Sequence, residues 1–421
     1  MKIGMLGLGT VGGGVAKILG SSSGRNPLLS KVKLVQVGVR NITKPRQNSL
    51  SLEKLTTQLE EVVTNPGIDL VVEVMGGLEP ARTLILQAIE HGKHVVTANK
   101  SLIAAHGSEI FLFAKDKGVC IAFEAAVGGG IPIIQCLKQS LGANKIKQIT
   151  GIVNGTTNYI LSQMAQKGVS FDDALQDAMQ KGYAEANPTA DVDGIDAAEK
   201  LAILALVGFG TKVDCKKIFK TGIRSISQRD IAYAKGMNYT IKLLANARLN
   251  EDDSLQLNVQ PHFVENTHPL AAINDVFNAI FLEGEPVGQL MLYGQGAGEG
   301  ATASAVVSDI LNIVGSSASW QNIHAKSSEL ASFSQEMKSH FYLRMLTEKS
   351  ATAAGAIAWS LGDFNIPPMS VQQQITKEGV SEIAIITESV FRSTLDNALS
   401  SIRGLPYVKE VANVLPILEA Q

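Results

Sequence analysis

The chain has 421 residues, of which 45% are hydrophobic and 18% charged, with a formal net charge of −2. That is apolar material for two to four packed domains and excludes a wholly disordered chain. A near-neutral balance, with a pI near 6.4, leaves no basic footprint for a nucleic acid or an anionic membrane surface.

The opening MKIGMLGLG carries one lysine and too short an apolar run for a secretory signal. No run of ~20 apolar residues predicts a membrane span, and residues 201–209 have the length of a core segment. No repeat at solenoid periods is found. Cys120, Cys136 and Cys215 lack metal-ligand spacing and read as free thiols in a reducing, cytoplasmic setting. Cys120, within GVCIAF, reads as a small buried core residue.

Valine- and isoleucine-rich runs at 2–6, 33–39, 69–75, 94–97 and 119–123 lack polar alternation. They predict strands buried on both faces of a parallel sheet. Helices at 12–19 and 80–91 fall between them, which makes the start of the chain an α/β, doubly wound sheet. Residues 131–294 mix helical stretches (133–141, 159–167, 171–181, 197–209) with strand-like runs (146–153, 254–259, 288–292), an α+β domain. The segment GQGAGEG and the helix after it suit a return to the first domain over 295–315. A Ser- and Ala-rich stretch, 316–336, reads as a linker. The tail, 337–421, predicts strands at 340–345, 369–374, 382–387 and 408–416 with helices at 353–361 and 391–402. That βαββαβ order is the ferredoxin-like arrangement. The first domain is accordingly 1–130.

Gly7, Gly9 and Gly12 in GLGTVG have GxGxxG spacing between the first strand and the first helix. The first glycine permits a tight turn, the second lets a pyrophosphate approach the backbone, and the third lets helix and strand pack closely. This is the fingerprint of a Rossmann-type dinucleotide site; the bland alternative is a glycine-rich turn that binds nothing. An acid at the end of the second strand selects NAD. Here Arg40 stands there, with Lys44 close behind, which favours NADP over NAD; a solvated loop cation is the alternative.

The stretch 178–200 carries Glu185, Asp191, Asp193, Asp196 and Lys200. Pro188 and Gly194 predict a loop over 185–193. Asp196 and Lys200 are four apart at the start of an apolar helix and share one face. The carboxylate would oppose loss of the lysine's proton while burial would promote it, so the pair reads either as a proton-transfer site or as a surface ion pair. Lys100, in TANK after a strand, belongs at the carboxyl end of the sheet, where ligands bind in such folds. It could equally be a solvated lysine opening a helix.

The stretch 178–200 (an alanine, GY, NP, then DVDGID and a lysine) resembles the signature of homoserine dehydrogenases. GLGTVG at 7–12, EVMGG at 73–77, TANK at 97–100, FEAAVGGGIP at 123–132 and GIVNGTTNYIL at 151–161 agree in order, so the resemblance spans about residues 1–310. It implies a nicotinamide-dependent oxidoreductase that interconverts L-homoserine and L-aspartate 4-semialdehyde on the path to threonine, methionine and isoleucine. It implies proton transfer by Lys200, a second active-site lysine at Lys100 and a placing role for Asp196. It assigns substrate binding to Glu185, Asp191, Gly155 and Thr156, and cofactor contacts to Leu8, Thr10, Val11, Arg40 and Lys100 beside the glycines. It also implies a monovalent cation, usually sodium, at Glu124, Val127, Gly129 and Ile131; the alternative is that Glu124 caps the segment after it. Ala301-Thr302 stands where the family often has proline before the threonine.

The tail resembles ACT domains, which bind amino acids and regulate biosynthetic enzymes. Residues 347–355 lack the usual Asp-x-Pro-Gly turn, so an amino-acid effector and a role in oligomer contacts alone both stay open, with a homodimer or homotetramer implied. Two rivals remain: another amino-acid dehydrogenase on this scaffold, and a catalytically silent nucleotide- and amino-acid-sensing protein. Aldehyde oxidation through an acyl-enzyme would need an activated cysteine, and none here has that context.

Overall fold

The computed structural model describes residues 1–21, 23–45, 51–315, 338–350, 352–375 and 380–418. The predicted linker over 316–336 lies outside the described residues. Two compact units divide the chain.

The first unit comprises Met1–Ile149, Ala198–Ile218 and the chain from Asn278 through the helix Glu299–Gly315. Its six-stranded sheet is parallel, in the order Leu55–Thr56, Lys33–Gly38, Lys2–Leu6, Leu70–Glu73, His94–Thr97, Ile121–Ala122. This is the doubly wound order, whose direction of winding reverses between Lys2–Leu6 and Leu70–Glu73. Ile3, Met5, Leu70, Val72 and Val96 pack in one core with Ala303, Val306 and Ile310 of the helix Glu299–Gly315. Gly14, in the helix Thr10–Leu19, admits that helix closely, because a Cβ there would lie 2.8 Å from the Ala303 methyl. Lys17 Nζ then donates to Glu299 Oε1 at 2.6 Å. Three further strands that lie mostly in this unit, Lys145–Ile152, Phe277–Glu285 and Gly288–Gln295, run side by side.

Several elements differ from expectation. The helix Lys100–Lys117 does not stand out in the sequence because its 18 residues carry apolar side chains on several sides without a clean period. Gly118 stops it in the left-handed region, at φ +69°. The short strand Leu55–Thr56, the helix Leu59–Thr64, the helix Gln228–Gly236 and the strand Tyr239–Leu249 are likewise additions. The predicted loop over 185–193 contains one helical turn, Thr189–Val192, which Pro188 opens rather than breaks.

The second unit comprises Thr150–Ala197, Phe219–Phe277 and the C-terminal part of the chain. A long hairpin pairs Tyr239–Leu249 with Leu255–Glu265 in antiparallel register. Its second strand meets Val408–Leu418 in parallel at Phe263 and Val264. The C-terminal strands then run Val408–Leu418, Phe341–Thr347, Ser381–Thr387, Pro368–Ile375, each pair antiparallel. The helices Ala353–Gly362 and Arg392–Arg403 cover one face, with Phe341, Leu343, Met345, Ile357 and Leu399 in the core between. The opposite face is polar where it meets the helix Gln228–Gly236. There Arg344 Nε donates to Asp230 Oδ1 at 2.7 Å and Tyr342 Oη to the same oxygen at 3.1 Å. Asp230, Arg344 and Glu382 are all buried. Removing one partner of such a network costs about 3–5 kcal/mol, because a buried charge is left uncompensated.

Candidate active site

The strand Lys2–Leu6 ends at Gly7, whose φ of +101° is open to glycine and strained for other residues. A Cβ on Gly12 would lie 2.4 Å from the Gly7 carbonyl oxygen, so the helix can pack on the turn only if this position stays bare. A Cβ on Gly9 would meet nothing within 4 Å. The helix Thr10–Leu19 therefore starts beneath open space. Its N-cap is Gly9, with no side-chain bond to the first turn and no acid within it. Its leading N–H groups and dipole are free to take an anion, and the arrangement fits a pyrophosphate. Leu8 and Val11 are half-buried and Thr10 is exposed on the same turn. Gly7 N donates to Gly38 O at 2.9 Å, which brings the end of the second strand alongside; exposed Arg40 follows two residues later.

The EVMGG and TANK segments are locked together beneath Lys100. Buried Glu73 ends its strand and accepts from Met75 N at 2.8 Å, Gly76 N at 3.2 Å and Thr97 Oγ1 at 2.7 Å. Thr97 Oγ1 in turn accepts from Asn99 N at 3.0 Å. Asn99 Nδ2 donates to Gly77 O at 2.6 Å, and its Oδ1 caps the helix at Leu102 N. Lys100 is thereby fixed as the first residue of the helix Lys100–Lys117. The next residue, Ser101, donates through Oγ to Glu199 Oε2 at 2.9 Å, adjacent to Lys200 in the helix Ile195–Phe209. The helices bearing the two lysines thus meet at their neighbours, and both lysines are half-buried.

In the second unit the organising residue is Asn154, which the sequence reading passed over. It caps the helix Gly155–Lys167 by accepting from Thr157 N at 2.9 Å. Its Nδ2 donates to Asp191 Oδ1 at 2.7 Å and to Asp196 Oδ2 at 2.9 Å. One amide nitrogen thus holds two carboxylates together, Asp196 buried and Asp191 half-buried. Two carboxylates this close repel, which a cation beside them or a proton on one of them relieves. Thr156 is buried and donates through Oγ1 to Tyr183 O at 2.7 Å, tying the GY turn to the helix start; Gly155 beside it is half-buried. Asp193 pairs with Arg224 at 2.6 Å, and Glu185 is exposed. The missed signal was the asparagine of GIVNGTT: an Asn directly before a helical run is a capping residue, and its amide is then aimed at whatever lies over the helix start.

Glu124 caps the segment after it, the second of the two uses expected from the sequence. It is buried, and its carboxylate accepts from Ile134 N at 2.8 Å and Gln135 N at 2.7 Å. Burial pushes this carboxyl up, opposed by those N–H groups. Its own N–H donates to Asp309 Oδ2 at 2.8 Å. Burial beside Glu124 holds Asp309 up at about 8. The carboxylate of Glu124 is thus a cap on the following segment. Among the described residues no group of three or more His, Cys, Asp or Glu side chains is arranged to hold a metal. A cation at this loop would therefore draw on carbonyls such as those of buried Val127, Gly129 and Ile131.

A family model described as "Homoserine dehydrogenase, NAD binding domain" matches residues 7–124, and one described as "Homoserine dehydrogenase" matches 132–311. The chain is 49% identical to a homoserine dehydrogenase of Synechocystis sp. over 99% of both chains. It is similar to the crystal structure of a homoserine dehydrogenase from Thiobacillus denitrificans, with a TM-score of 0.92, 37% identity, and coverage of 100% of this chain and 98% of that one. A hyperthermophilic archaeal homoserine dehydrogenase in complex with NADPH matches at TM-score 0.61 and 28% identity, over 74% of this chain and 97% of that one. On the glycine turn, the contact between the helices that bear Lys100 and Lys200, and these matches together, the chain belongs to the homoserine dehydrogenase family of NAD(P)-dependent oxidoreductases.

Proposed function

We propose that the chain interconverts L-homoserine and L-aspartate 4-semialdehyde, using NADP in preference to NAD. A bound nicotinamide would supply the hydride acceptor for the γ-carbon of homoserine, or the hydride donor for the aldehyde carbon in the reverse direction. Lys200 takes the hydroxyl proton in one direction and gives it back in the other. Lys100, held at its helix start by the Glu73–Thr97–Asn99 lock, stabilises the substrate oxygen and contacts the cofactor. Glu185 and Asp191 receive the substrate ammonium, Asp196 places the reacting centre, and Gly155 and Thr156 flank the substrate. The observation that carries this reading is the Asn154 amide holding the carboxylates of Asp191 and Asp196 side by side at the start of the helix Gly155–Lys167. Burial pushes the thiols of Cys120 and Cys136 up, the opposite of an activated nucleophile, which disfavours the acyl-enzyme rival.

Arg40 beyond the second strand, in place of an acid, supports NADP. A monovalent cation, sodium by family analogy, would sit at Glu124, Val127, Gly129 and Ile131. We assign the C-terminal βαββαβ unit to the ACT-like type; its strand order, fourth–first–third–second with antiparallel pairing, supports this. Threonine titration during steady-state turnover tests whether it takes an effector. A homodimer or homotetramer and a cytoplasmic location complete the reading. Among the described residues no helix is long and apolar enough to cross a membrane. Nicotinamide absorbance at saturating homoserine, with NADP and NAD compared, tests the proposal: reduction faster with NADP supports it, and no reduction with either overturns it.

A further inference from the structure

Asn278 opens the buried part of the strand Phe277–Glu285 and is 1% exposed, yet neither its Oδ1 nor its Nδ2 has a hydrogen-bond partner among the described residues. An unmet buried amide costs about 1–3 kcal/mol, so native folds seldom keep one without a use. The amide lies against the backbone of Gly296, where a Cβ would come 2.0 Å from Nδ2. Gly296 belongs to the turn between the strand Gly288–Gln295 and the helix Glu299–Gly315. On its other side Gly129 touches it, since a Cβ there would lie 2.5 Å from the Gly296 carbonyl, and Gly130 N donates to Gln295 O at 3.1 Å. Gly298 in the same turn has φ +110°, and a Cβ on Gly298 or Gly300 would meet nothing within 4 Å. The turn thus has an open outer side and the amide behind it. It also feeds the helix whose Glu299 is bonded to Lys17 of the dinucleotide helix.

We propose that Asn278 is a positioning residue for the Gln295–Gly298 turn, whose backbone, already in contact with its amide, hydrogen-bonds it only when bound dinucleotide shifts the turn. This rests on the dinucleotide reading above. In the free protein the amide is a standing cost, and in the complex its hydrogen bonds favour the shifted turn. Ligand affinity and free-state stability should therefore respond oppositely to its removal. A leucine, similar in shape and apolar, removes the cost without leaving a hole.

NADPH binding by fluorescence titration and the thermal midpoint of the ligand-free protein are measured for wild type and Asn278→Leu. Binding by wild type tests the dinucleotide reading separately. The proposal expects Asn278→Leu to bind NADPH about tenfold more weakly, as for the loss of one hydrogen bond, with a ligand-free midpoint equal to or above that of wild type. Unchanged affinity, or a lowered ligand-free midpoint, overturns it, because the amide would then be idle or already bonded in the free state. Should leucine overfill the site and prevent folding, Asn278→Ala is read by affinity alone: about tenfold weaker supports the proposal, and wild-type affinity overturns it.

Discussion

Lys100 stands in the first turn of its helix, where a positive charge opposes the helix dipole by about 0.3–1 kcal/mol. Helix stability alone would not choose it, and the buried Glu73–Thr97–Asn99 lock holds it there nonetheless. Asn154 is the corresponding organiser on the acid side. In Asn154→Ala the helix loses its cap and both carboxylates lose a donor. Hydrogen bonds to charged groups are worth about 1.5–3 kcal/mol, so kcat/KM for homoserine should fall by about 10- to 100-fold. The dissociation constant for NADPH should hold. A variant with undiminished kcat/KM would remove Asn154 from the site.

The strand–turn–helix at the N-terminus separates a glycine kept for packing from one kept for a ligand. An alanine at position 12 would press on the Gly7 carbonyl, whereas at position 9 it would project into open space with φ −84° at that residue. Gly12→Ala is thus expected to lower both the thermal midpoint and NADPH affinity. Gly9→Ala should keep the midpoint and lose affinity for NADPH. Differential scanning calorimetry with and without NADPH reads both, and a Gly9→Ala protein that binds normally would mean the pyrophosphate does not approach there. Much of this element was legible from GLGTVG alone, because the local spacing states its own geometry. The helix Lys100–Lys117 was not legible, because its burial is set by neighbours distant in sequence rather than by a periodic face. Glu124 was legible as a cation-site residue or as a cap on the segment after it, but the N–H groups it caps were not, since those of Ile134 and Gln135 reach it only after the loop folds back. Asn278 gave no local signal at all.

At the scale of the whole molecule, the doubly wound class of the first sheet and the βαββαβ element order of the tail followed from the run of elements, whereas the edge strand Leu55–Thr56 did not. The buried polar joints did not, since Asp230 meets Arg344 across more than a hundred residues of sequence. Such joints also shape the response to acid. Wholly buried His262 donates through Nδ1 to Gln260 O at 2.9 Å, and burial pushes its pKa from 6.5 down to about 4. The unfolded chain takes up this proton first as pH falls. Its contribution, about 3 kcal/mol, is therefore present above pH 6.5 and lost as pH approaches 4. The thermal midpoint should fall less steeply across this range in His262→Gln than in wild type; parallel curves would show that the ring does not titrate this way. The central claim is that Lys200 moves the proton while hydride passes to the nicotinamide. The most direct measurement is turnover of homoserine with NADP by Lys200→Ala, with NADPH binding measured on the same sample. The account predicts a loss in kcat of about 100- to 10,000-fold with binding retained; near-normal turnover would contradict it.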